Sequence, residues 1–66
     1  MAEYVKTIYT FDVYSNKGVE TIKAETTYKT LQDVKNEVQE YIKQKNNIKG
    51  DVITCLIDKQ NIYLYN

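Results

Sequence analysis

Two hydrophobic periods follow one another along the chain. Residues 4 to 14, "YVKTIYTFDVY", are dense in β-branched and aromatic residues and alternate with a period of two, which predicts a long strand. One parity holds Val5, Thr7, Tyr9, Phe11 and Val13, the other Tyr4, Lys6, Ile8, Thr10, Asp12 and Tyr14. The first set is the more apolar and is expected to face the core. "SNKG" follows, where Asn16 and Gly18 tolerate positive φ, so a hairpin turn is expected. "VETIKAET" returns as a second strand with Ile22 and Ala24 inward and Thr21, Lys23 and Glu25 outward.

The period then changes. In "TYKTLQDVKNEVQEYIKQKNN", Leu31, Val34, Val38, Tyr41 and Ile42 share one arc at 100° per residue, which predicts an amphipathic helix. Lys45 lies on the same arc, where its stem can cover the sheet while its ammonium reaches water. Thr30 with Asp33 reads as the N-terminal cap, Lys43 and Lys45 suit the negative end of the dipole, and Asn46-Asn47 can supply a left-handed exit. "GDVITCLID" is apolar on both parities and reads as a third strand covered on both faces. "DKQN" is expected to turn and "IYLYN" to close the chain as a fourth strand. Its Ile62 and Leu64 are then the core pair, leaving Tyr63 and Tyr65 on the open face with Tyr4 and Ile8.

The expected architecture is α+β: a four-stranded β-sheet with one α-helix packed on one face, in the order ββαββ, as a single domain over residues 1–66. In element order and length, with the helical stretch "ETTYKTLQDVKNEVQEYIKQKNN" between two hairpins, the chain resembles the β-grasp modules of protein L and protein G, the bacterial immunoglobulin-binding domains. That resemblance implies first and last strands paired in parallel at the centre of the sheet. An antiparallel ββαββ sheet of another strand order is the alternative.

Composition narrows the chemistry. Nine basic residues, all lysine, balance nine acids, so broad electrostatic capture of nucleic acid or anionic membrane is not expected. The chain has one cysteine, Cys55, and no histidine, which removes an intrachain disulfide, a Cys/His metal site and histidine catalysis. Cys55 lies among Ile53, Leu56 and Ile57 and is expected to be a packing residue rather than a nucleophile. Glu37 and Glu40, at i and i+3, read as a solvated helix face. Gly18 and Gly50 sit apart, so no phosphate loop is present. No catalytic residues, no cofactor and no metal are expected. There is no apolar run long enough to span a bilayer and no leader-like start, which predicts a cytoplasmic protein without membrane contact. The leaning to Lys, Asn, Ile and Tyr is typical of AT-rich coding sequence, as in many bacteria and phages.

A helix covers one face of a sheet only. The exposed face is therefore the expected site: Tyr4, Ile8, Tyr14, Ile53, Tyr63 and Tyr65 are the candidate interface residues, for a protein partner or a homodimer. The expected function is a small non-enzymatic protein-interaction module, a bacterial or phage protein that docks on, and inhibits, a host protein through that face or an edge. The alternative is weak binding of single-stranded nucleic acid, with tyrosines stacking bases and Lys6, Lys43, Lys45 and Lys49 holding phosphates.

Overall fold

The computed structural model describes residues 1–65. Strand β1 (Ala2–Ser15) is followed by β2 (Gly18–Thr26), helix α1 (Leu31–Asn46) and β3 (Ile53–Tyr65). The three strands form one sheet in the order β2-β1-β3, with β1 antiparallel to both neighbours.

This corrects the expected four-stranded ββαββ sheet. The stretch "DKQN" does not turn. It runs through the middle of β3, where Asp58 faces Thr10, Lys59 faces Tyr9, Gln60 faces Ile8 and Asn61 faces Thr7. The strands expected in "GDVITCLID" and "IYLYN" are, over the described residues 53–65, parts of one strand; Asn66 lies outside the described residues. The β-grasp expectation fails for the same reason, because the last strand lies antiparallel to the first. Physically, "DKQN" holds no glycine to supply the positive φ that a tight hairpin favours. Opposite it, β1 is 14 residues long and offers a continuous row of backbone partners. Staying extended satisfies both strands.

Each strand leaves one residue out of the ladder as a bulge, and the two offset one another. The β1–β3 register shifts at Ile57 and again at Val5. Each bulge reverses which parity of its strand faces the helix. On β3 the helix-side set is Thr54 and Leu56 before the bulge and Lys59, Asn61, Tyr63 and Tyr65 after it. Ile62 and Leu64, expected in the core, therefore point to the opposite face, and Leu64 is exposed.

The hairpin turn consists of Asn16 and Lys17, and the positive φ falls on Gly18, at 118°. The Ser15 hydroxyl accepts the Lys17 N–H at 3.1 Å and holds the bend. Helix α1 starts as expected: Thr30 Oγ1 accepts the Asp33 N–H at 3.2 Å. It ends on Asn47, which is left-handed (φ 54°, ψ 47°). There Asn47 donates to the Gln44 carbonyl at 3.4 Å and Ile48 to the Lys43 carbonyl at 2.8 Å, so two terminal carbonyls are satisfied as Ile48 turns onto the core.

The core is Tyr9, Phe11 and Val13 of β1 against Val34, Val38 and Ile42 of α1, with Ile22, Ala24, Ile48 and Val52 packed at its margin. Val5, expected with this set, lies at the bulge and is exposed. Cys55 is also exposed, on the face away from the helix opposite Asp12, which corrects its expected place as a packing residue. Thr54, its neighbour, takes the buried position beside Val13.

Candidate interaction surface

The helix and the sheet differ in reach. A 16-residue helix spans roughly 24 Å, whereas a 14-residue strand spans roughly 46 Å. The molecule measures 47 × 17 × 16 Å, so its long axis matches the extended length of β1. Strand β2 pairs only with residues Thr7–Ser15 of β1. Residues 2–6 are thus paired with β3 alone, as a two-stranded ribbon running past the three-stranded part of the sheet.

A polar cluster marks the junction. Thr7, buried on the helix side, donates from Oγ1 to Asn61 Oδ1 at 2.9 Å. Its single proton is thereby used, so the Tyr4 hydroxyl is the donor in the 2.5 Å contact with Thr7 Oγ1. Beyond this cluster the same face carries tyrosine. Tyr4 pairs with Tyr63 across the strands, the rings edge to face with centroids 6.0 Å apart, and Tyr65 follows at 6.4 Å from Tyr63. The row is exposed, most of all Tyr65 at 75%.

The candidate interface residues therefore fall into two groups. Tyr4, Tyr63 and Tyr65 come together on the helix-side face of the ribbon, because the bulges at Val5 and Ile57 turn both strands over, one each, and keep Tyr4 opposite Tyr63. Tyr14 and Ile53 pair with one another on the opposite face, and Val19 of β2 completes an exposed apolar row across the sheet there. Ile8 lies between, on that same opposite face. Tyr4 and Tyr14 are roughly 33 Å apart along β1, too far for one small patch.

Sequence reasoning named an edge of the sheet without assigning residues to it, and so missed the outer edge of β3. Leu56, Ile57, Leu64 and Tyr65 flank it and are exposed, and its only charges are Asp58 and Lys59. The local signal was weak: residues 58–61 hold no glycine, but Asp58 and Asn61 suit a turn as well as a strand.

The lysines named for the nucleic-acid alternative are dispersed. Lys6 sits at the ribbon junction and is paired with Glu25 at 2.8 Å, while Lys45, at the other end of the sheet, is paired with Glu20 at 2.8 Å. The Glu20 hydrogen bond and charge raise the Lys45 pKa above its ordinary value, as Glu37 does for Lys29. Lys43 and Lys49 share the helix C-terminal end with Lys45. The shallow concavity between Tyr28, Lys29, Asp33, Asn36 and Glu37 is crossed by the Lys29–Glu37 ion pair. Among the described residues, no group of His, Cys, Asp or Glu is placed to hold a metal ion, and no helix is long and apolar enough to cross a membrane. No protein-family profile, curated protein or solved structure matches the chain.

Proposed function

We propose that this chain is a non-enzymatic protein-interaction module working through the ribbon end of its sheet, where the free edge of β3 runs beside Tyr4, Tyr63 and Tyr65. One observation carries the reading: a 13-residue edge strand with two charges, flanked by tyrosines that the helix is too short to cover. Unpaired strand edges accept further strands, and side chains beside them select which. Tyrosine adds contact area at low conformational cost and is enriched at interface centres. The second apolar row, Val19, Tyr14 and Ile53, is assigned to cross-strand stabilisation of the sheet.

A photo-activated cross-linking residue in place of Tyr65, compared with one in place of Lys23 on the opposite edge, tests the proposal in cell extract. Discrete adducts are expected at position 65 and not at 23. Equal or absent labelling at the two positions would sink it. Tyr65→Ala should retain the fold and weaken the same association.

A further inference from the structure

The β3 edge has one partner whose complementarity follows from symmetry alone, a second copy of this chain. We infer that two copies pair antiparallel through residues 59–65 of β3, about a twofold axis at Ile62, joining their sheets edge to edge; this rests on the interaction reading above. A twofold axis normal to a sheet makes an antiparallel edge complementary to itself. The chain has no net charge, so two copies approach without long-range repulsion.

The bulge chooses the segment. At Ile57 the pleat changes parity, so regular pairing of two identical strands cannot cross it without opposing side chains from different faces. It leaves 53–56 and 58–65, of which the second is the longer. Within that segment residues that face one another must share a parity, so the axis passes through a residue.

Charge then chooses the register. An axis at Asp58 or Lys59 sets like charges opposite one another. An axis at Gln60 or Asn61 sets the Asp58 carboxylate against Ile62 or Leu64 of the second copy, a desolvation cost without a partner. An axis at Tyr63 shortens the pairing to residues 61–65. An axis at Ile62 joins Ile62 to itself, Asn61 to Tyr63, Gln60 to Leu64 and Lys59 to Tyr65, with Asp58 outside the paired stretch. The paired stretch is roughly 23 Å long, which gives an interface well below the roughly 1,000 Å² of a stable complex. The dimer is accordingly weak and concentration-dependent.

Disulfide trapping tests the register. In a Cys55→Ser background, Ile62→Cys places two thiols across the axis, with Cα atoms roughly 5 Å apart and within bonding reach. Gln60→Cys separates them by four residues along the strand, roughly 14 Å, which is out of reach. Mild oxidation near millimolar protein should give at least about tenfold more covalent dimer from Ile62→Cys. Equal yields from the two variants, or none, overturn the inference. On the unmodified chain, amide shifts that move with concentration should concentrate in residues 59–65, and an unchanging spectrum overturns it independently of any variant. If both fail while Tyr65 still cross-links to a different protein, the interaction module stands and only the self-pairing is lost.

Discussion

The two edges of this sheet flank the same central strand and are built differently. Strand β2 has 9 residues, faces the helix through Ile22 and Ala24, and has its carboxylates engaged: Glu20 with Lys45 and Glu25 with Lys6. Thr21 adds a hydrogen bond to Asp12 at 2.6 Å. Strand β3 has 13 residues, no ion pair among the described residues, and aliphatic or tyrosine side chains along most of its exposed length. A short, charged edge resists further strands, whereas a long edge with few charges invites them. The same fold thus closes one side and leaves the other receptive.

The largest perturbation should remove the difference altogether. Phe11 is fully buried and pairs with Ile22 on one side and Leu56 on the other. Phe11→Ala is expected to cost about 3–5 kcal/mol, a large share of the stability of so small a domain. Thermal unfolding followed by circular dichroism should show the loss of both edges in one transition. Thr7→Val should act on the ribbon instead, because it removes the hydroxyl that joins Asn61 to Tyr4; both partners are exposed and turn to water, so a cost of about 1 kcal/mol is expected. Amide exchange would locate that cost, accelerating at residues 2–6 and 62–65 while Phe11 and Val13 stay protected.

Smaller effects sharpen the contrast. Gly18→Ala introduces a side chain at a φ of 118°, with open space around the new Cβ, so the expected loss of about 1 kcal/mol is backbone strain alone. It should lower the unfolding midpoint and leave association through β3 unchanged. The least change is expected from Glu20→Gln. The raised Lys45 pKa should fall towards 10.5, as read by NMR titration of its ammonium group, with little effect on the unfolding midpoint. The sign is that of a cation with an acquired partner: the ion pair contributes fully below the unfolded-state pKa and is lost as pH rises through the raised value.

The first half of the molecule was legible because local rules decide it. The alternation of Tyr9, Phe11 and Val13, the glycine at the hairpin, and the spacing of Val34, Val38 and Ile42 each point to one structure, and the caps at Thr30 and Asn47 agree. The second half turned on a choice that residues 53–65 cannot make locally. Four polar residues between two apolar runs fit a turn or a strand equally well, and the length of β1 decided for the strand. Once that was misread, two single-residue bulges displaced the facing of everything beyond them. Tyr4, Tyr63 and Tyr65 do share one face, as their sequence suggested, but it is the helix-side face of the ribbon. Tyr14 and Ile53 pair at the other end.

The uninterrupted run of β3 also sets an order of events in folding. Its pairing with β1 begins at Tyr14 and Ile53, 39 positions apart (53 − 14), and ends at Ala2 and Tyr65, 63 apart (65 − 2). The β1–β2 hairpin needs only the bend at Asn16 and Lys17, so it and the helix form on local contacts before β3 can close its longer loop. Strand β3 then zips outward from the turn end, and the tyrosine row is the last part to assemble. By microscopic reversibility it is the first to open, so the same edge is bared in the native state and during each excursion from it.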